Sequence, residues 1–178
     1  MKQLTLLFVV FVFLMQSCKF EEKKTVAQEE SIQTKKSSID FPIYDFDGLE
    51  PLLNKEDDKT YIVNFWATWC KPCIEELPDF EQTYAEQKDN NVKMLLVSLD
   101  MPSMWEKRLV PFVKEKELKG EVVILDDPKM NEWIPKIDAN WEGGIPATLI
   151  YNRDKRTFYP HGFTYEELNT ELDKFLNE

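Results

Sequence analysis

Two of the chain's three cysteines stand as Cys70-Lys71-Pro72-Cys73, within FWATWCKPCIEELPDF (residues 65–80). Cysteines at i and i+3 opening a helix can close a small disulfide. The first thiol would lie beside the free backbone N–H groups and the positive dipole end of that helix. Such surroundings favour thiolate, moving the pKa from roughly 8.5 toward the ~3.5–7.5 range. Lys71 adds a nearby positive charge, and Pro72, which lacks an N–H, fits the first turn where that donor is idle. Cys70 is then expected to be the attacking thiolate, exposed at the helix tip. Cys73, one turn inward, is expected to resolve the mixed disulfide formed on Cys70. Resolution requires Cys73 to lose a proton. Glu76 follows three residues later on nearly the same helix face and could accept it. It fits equally well as a first-turn acid favoured by the helix dipole. Glu75 points about 100° away and is expected in solvent.

The elements that must carry these residues are legible from their periods. TYIVNFWA (60–67) is β-branched and aromatic without polar alternation, as in a strand buried on both faces. The spacing of Cys73, Leu77, Phe80 and Tyr84 predicts a helix from Lys71 to about Lys88. FPIYDF (41–46), VKMLLVSL (92–99) and EVVILDD (121–127) read as further strands, and GLEPLLNK as a short helical turn. SMWEKRLVPFVKEKEL (103–118) reads as an amphipathic helix with Pro111 in its path. Pro128 is expected at the N-terminus of another helix. ATLIYN and TFYPHG flank RDK as a hairpin. Thr164 and Glu167 form a capping box for a last helix striped by Leu168, Leu172 and Phe175. Gly143-Gly144-Ile145-Pro146 leads into the hairpin, and its X–Pro bond fits either a plain trans turn or a cis bond. Alternating strands and helices followed by a hairpin and a helix imply an α/β domain: a mixed sheet with helices on both faces.

The N-terminus reads differently. MKQLTLLFVVFVFLMQSC has Lys2, an apolar run from Leu4 to Met15, then Gln16-Ser17-Cys18. This is the layout of a secretory signal, with a run too short to span the ~30 Å hydrocarbon layer comfortably. The cysteine after Ser17 resembles a bacterial lipoprotein signal, although Gln16 is larger and more polar than usual there. That resemblance implies removal of residues 1–17 and lipidation of Cys18, with the folded part tethered outside the cytoplasm in the cell envelope. An uncleaved anchor or a plain secretory signal is the alternative. Residues 18–39 alternate charges with Ser, Thr and Gln without sustained apolar period, a solvated tether. Residues 40–178 are left for the domain.

Composition bounds the chemistry. With 178 residues, 43% of them hydrophobic, the chain can bury the core of one domain. A net charge of −11 argues against nucleic acid as a partner. One histidine, His161, and a Cys18 consumed by lipid leave too few ligands for a closed zinc site. No metal and no cofactor beyond a Cys70–Cys73 disulfide is expected. A purely structural disulfide is disfavoured because so short a closed loop gives little entropic stabilisation.

FWATWCKPC (65–73), followed by GIPATLIYN (144–152), is similar to the thioredoxin superfamily. Pro78 matches the proline that kinks that family's active-site helix. Within the superfamily, the sequence resembles the membrane-tethered, extracytoplasmic thiol-disulfide oxidoreductases of TlpA/ResA type. The resemblance rests on Lys71 between Trp-Cys and Pro-Cys, on Asn64 in the preceding strand and on Glu76. It implies a thioredoxin-like fold, a cis Ile145–Pro146 bond beside the disulfide, Glu76 as proton handler, and Trp66 and Trp69 shaping the active-site surface. It also implies client proteins bearing disulfides, which the protein would reduce, and a membrane partner donating electrons. The family pattern for peroxide reduction by a single cysteine is absent. The alternative from another class is a copper-delivery protein of related fold using Cys70 and Cys73. Those carriers use CxxxC and a distal histidine, whereas here the spacing is CxxC and His161 is expected at the surface. Met101 and Met104 could be soft ligands, but with Trp105 they fit helix-start packing. Residues 100–145 match the resemblance poorly in detail.

Overall fold

A computed structural model describes residues 39–176. The signal segment 1–17, Cys18 and the tether up to residue 38 lie outside the described residues. Strands β1 (Ile43–Tyr44), β2 (Thr60–Trp66), β3 (Val92–Ser98), β4 (Glu121–Leu125), β5 (Ala147–Tyr151) and β6 (Arg156–Tyr159) form one sheet. Their order is β1-β4-β3-β2-β5-β6. The first four run parallel, while β5 pairs antiparallel with β2 and β6 with β5. The helices are α1 (Phe46–Leu49), α2 (Lys71–Gln87), α3 (Val110–Lys116), α4 (Met130–Ile137) and α5 (Tyr165–Leu176).

Both faces of the sheet are covered. All seven residues of β2 are buried, which is why its sequence shows no polar alternation. The period of two sorts them: Ile62 and Trp66 join one core with α2, α5 and Leu109–Val113, while Val63 and Phe65 join the other with α1 and α4. Asn64 shares the face of Ile62 and Trp66, so its side chain enters the core beneath α2. The second core is largely aromatic. Trp141 meets Phe65 at 5.1 Å, Phe158 at 5.2 Å and Trp133 at 5.9 Å between ring centroids.

Several elements differ from their sequence reading. The strand read over Phe41–Phe46 shortens to Ile43–Tyr44, because Asp45 caps α1 by accepting from the Gly48 N–H. The helix read over 103–118 is broken: a turn at Pro102–Met104 leads into a π-helical segment, Trp105–Leu109, before α3. Pro111 cannot donate to the carbonyl four residues back, and the Val110 N–H instead bonds Trp105 O, five back. Pro128 lies ahead of α4, whose N-cap is Lys129, with the Lys129 N–H held by Asp127 Oδ1 at 2.8 Å. On α2, Thr83 rather than Tyr84 is buried, and Tyr84 is only half-buried. The capping box forms as read, with Thr164 N–H donating to Glu167 Oε2 at 2.9 Å.

Helix α5 closes the first core through Leu168, Leu172 and Phe175, which alternate with an exposed charged face. Leu168 is fully buried. Truncating Leu168 to alanine is expected to destabilise the domain by about 3 kcal/mol, from lost transfer energy plus the cavity left behind. Denaturant unfolding measures it, and a loss below about 1 kcal/mol would contradict the packing assigned to α5.

Candidate active site

Strand β2 ends at Trp66, and a tight turn closes with the Cys70 N–H on Ala67 O at 3.1 Å before α2 begins. Cys70 is the N-cap of α2: its backbone is extended (φ −89°, ψ 101°) and its Sγ accepts the Cys73 N–H at 3.3 Å. A sulfur in this position receives an orphan helix donor directly, and negative charge there is favoured by the dipole. Cys70 and Cys73 are joined as a disulfide with Cα atoms 5.3 Å apart.

Cys70 is only 6% exposed, which corrects the expectation of a sulfur exposed at the tip. Its cover comes from far along the chain. The Ile145 carbonyl oxygen lies 3.7 Å from Cys70 Sγ, and the Ile145–Pro146 bond is cis. Gly143, at φ +83°, admits the backbone turn into this loop. Trp141 Nε1–H then donates to Gly144 O at 2.8 Å and pins the loop to the aromatic core.

Three residues beyond Cys73 on α2 sits Glu76, 5% exposed. Its Oε1 accepts Asn64 Nδ2–H at 2.8 Å and its Oε2 accepts the Phe163 N–H at 2.9 Å. Asn64 also reaches Thr148 Oγ1 at 3.3 Å, its partner across the antiparallel β2–β5 ladder. Burial pushes the Glu76 carboxyl up to about 7, against the lowering effect of the bonds from Phe163 and Asn64. Thr148, Gly162 and Phe163 are not singled out as site residues in the sequence reading. A Cβ on Gly162 would come within 2.8 Å of Glu76 Oε2 and 3.2 Å of Pro146 Cγ, so a side chain there would push the Glu76 carboxylate aside. The one signal for it in the sequence is a glycine in the loop after the hairpin, with no spacing relation to the cysteines.

The other expected residues divide. Trp69 is half exposed beside Cys70. Trp66 is fully buried and meets Phe112 in a tilted contact, ring centroids 5.6 Å apart, so it presents no surface. The correction follows from the sheet's period: Trp66 ends β2 on the face that α2 and Phe112 cover. Lys71 and Pro72 are exposed, and Lys71 Nζ pairs with Glu75 Oε1 at 3.3 Å. Both groups of that pair are solvent-exposed, so it adds little. His161 is exposed with its ring 5.0 Å from that of Phe163, and Met101 is exposed. Met104 is half-buried and Trp105 is buried, as helix-start packing requires.

The position of Glu76 carries a linkage. Its carboxyl binds a proton up to about 7 in the native state, against 4.5 as the reference value. The stability tied to that proton is fully present below 4.5 and lost as pH rises through about 7, a change of roughly 3 kcal/mol. Replacing Glu76 by Gln is expected to flatten this part of the stability profile of the oxidised protein between pH 4.5 and 7.5. Chemical unfolding across that range checks it, and an unchanged slope in the variant contradicts the assignment.

Comparison with known proteins agrees with this geometry. Residues 34–157 match the family model described as AhpC/TSA family. The thiol-disulfide oxidoreductase ResA of Bacillus cereus (strain ATCC 10987 / NRS 248) is 31% identical over 152 residues, covering 85% of this chain and 82% of the relative. ResA of Bacillus thuringiensis subsp. konkukian (strain 97-27) is 30% identical over 151 residues, 85% of this chain and 81% of the relative. Solved structures share the fold. A thiol:disulfide interchange protein of the thioredoxin family from Chlorobium tepidum TLS gives a TM-score of 0.56 at 20% identity, over 75% of this chain and 90% of that one. A thioredoxin-related protein from Neisseria meningitidis serogroup B gives 0.57 at 24% identity, over 68% and 87%. With its thioredoxin-like sheet, its CxxC at the head of α2 and this degree of likeness, the chain belongs to the AhpC/TSA family.

Proposed function

We propose that the protein is an envelope thiol-disulfide oxidoreductase that reduces disulfides of extracytoplasmic client proteins through the Cys70–Cys73 couple. The observation that carries this reading is the CxxC disulfide at the N-cap of α2, with a buried carboxyl of raised pKa on the same helix. In the reduced protein, Cys70 thiolate attacks one sulfur of a client disulfide. A mixed disulfide forms on Cys70, and the other client sulfur leaves as thiolate and takes a proton from water. Cys73 then gives its proton to the Glu76 carboxylate and attacks Cys70 Sγ, expelling the second client thiolate. Two electrons pass to the client, and Cys70–Cys73 ends as the disulfide. A carboxyl titrating near 7 can take this proton and return it at neutral pH.

Trp69, Lys71, Pro72, Ile145 and Pro146 are assigned to the surface that meets the client, and Trp66 to packing beneath it. A membrane electron donor returns the couple to the dithiol, and lipidation of Cys18 holds the domain at the membrane. The relatives named as thiol-disulfide oxidoreductases support the reaction class. No likeness among them supports copper delivery.

Cys70→Ala is expected to abolish reduction of a model disulfide such as insulin, and retained activity would overturn the mechanism. Cys73→Ser is expected to hold clients as mixed disulfides on Cys70, visible as reductant-sensitive adducts in cells. Glu76→Gln is expected to slow resolution roughly a hundredfold at neutral pH and to remove the pH–rate inflection near 7. An unaltered pH–rate profile would take Glu76 out of the reaction.

A further inference from the structure

The loop that carries Cys70 is held from a second direction. Asp100 follows the end of β3, only 2% exposed, in no ion pair among the described residues. Its Oδ2 accepts the Thr68 backbone N–H at 3.0 Å and Ser98 Oγ–H at 2.9 Å. Its Oδ1 accepts Thr68 Oγ1–H at 2.6 Å. The groups around this carboxyl are thus donors, and two of them belong to Thr68. Trp105 Nε1–H donates to the Asp100 carbonyl at 2.6 Å and the Asp100 N–H to Ser98 Oγ at 3.1 Å, so Asp100 is itself fixed to the π-helical segment and to β3. A buried carboxyl without a cation is costly unless hydrogen bonds replace its water, and here the bonds converge on the residue two before Cys70.

We propose that Asp100 is a positioning residue for Cys70: by clamping both the backbone and the hydroxyl of Thr68, it sets the turn that delivers Cys70 Sγ to the Cys73 N–H at the head of α2. Asp100 touches neither sulfur in any bond described, and acts through Thr68. Without the clamp, residues 66–70 are tied by the Leu99 N–H on Trp66 O, the Cys70 N–H on Ala67 O and a 3.4 Å contact from Arg108 Nη2 to Thr68 O. None of these fixes Thr68 in two directions. Charged groups on the segments that meet the Cys70 turn are Asp100 after β3, Glu106, Lys107 and Arg108 on the π-helical segment, and Lys71, Glu75 and Glu76 on α2. Glu142 lies ahead of the cis-proline loop, and His161 follows β6. The clamp variants change none of these except Asp100 itself.

The proposal rests on the reading of Cys70 as an activated attacking thiol, and the test separates the two. The reduced full-length chain is alkylated with iodoacetamide as a function of pH, with the label assigned to Cys70 by peptide mass spectrometry. In wild type, a midpoint well below the ~8.5 of a free cysteine is expected; a midpoint at that value defeats the functional reading itself. Asp100→Ala and Thr68→Val are each expected to raise the midpoint by about one pH unit and to cut insulin reduction roughly tenfold. Asp100→Asn can offer Oδ1 to the Thr68 N–H and Nδ2 to its hydroxyl, so it is expected to keep the wild-type midpoint. Ser98→Ala removes both of its bonds with Asp100 but none to Thr68, and should lower the melting temperature without moving the midpoint. The positioning role is overturned in any of three cases with wild type activated: Thr68→Val leaves midpoint and rate unchanged, Asp100→Asn shifts the midpoint as Asp100→Ala does, or Ser98→Ala shifts it equally. Thr68→Val keeps the test decisive should Asp100→Ala fail to fold.

Discussion

A carboxyl group shut away from water, with no cation against it, can be kept only by donors aimed at it from fixed directions. Glu76, in no ion pair among the described residues, is in that position, and the donors come from β2 through Asn64 and from the segment before α5 through the Phe163 N–H. Each of the three chain segments has to be in register for both bonds to form. Asn64 points beneath α2 because it shares the face of Ile62 and Trp66, and it reaches Thr148 because β5 pairs antiparallel with β2. Glycine at 162 lets the backbone pass close to Glu76 and Pro146, where a Cβ would crowd both. The raised pKa at this point is the result of burial that the two bonds only partly offset.

The sulfur pair is assembled at the head of the same helix by two loops anchored in different parts of the fold. The loop of Ile145 and Pro146 depends on the aromatic layer, where Trp141 sits among Phe65, Trp133 and Phe158 and donates its indole N–H to Gly144 O. The loop of Thr68 and Trp69 depends on the polar cluster after β3, with Asp100 between Ser98 and Trp105. Large aromatic surfaces with one polar edge suit this task, since the ring packs into apolar core while the N–H reaches a backbone carbonyl. The irregular helical stretch between β3 and α3 follows from Pro111, and it brings Trp105 to the Asp100 carbonyl.

Much of the fold is legible in the sequence. The strand 60–66, the helix from Lys71, the hairpin flanking residues 153–155 and the capping box at Thr164 all follow from short-range periods and caps. The same holds for Glu76 facing inward, since three residues along a helix return nearly to the same side. The burial of Cys70 is not legible, because its cover is a loop 75 residues further along the chain. Trp66 escapes the sequence reading for a related reason: its position beside the cysteines suggests surface, whereas the last residue of a doubly covered strand lies inside.

By itself, the sequence determined the order of strands and helices, the cysteine spacing, the proline and glycine turns and which helix face carries the acid. These depend on steric and hydrogen-bonding preferences spanning a few residues. Only the tertiary structure decided that Asn64, Glu76, Thr148 and Phe163 meet, that Gly162 lies against Pro146, and that Asp100 holds Thr68. Those meetings depend on strand register and on how two cores pack against one sheet, and contacts between segments so far apart leave no period in the chain to read.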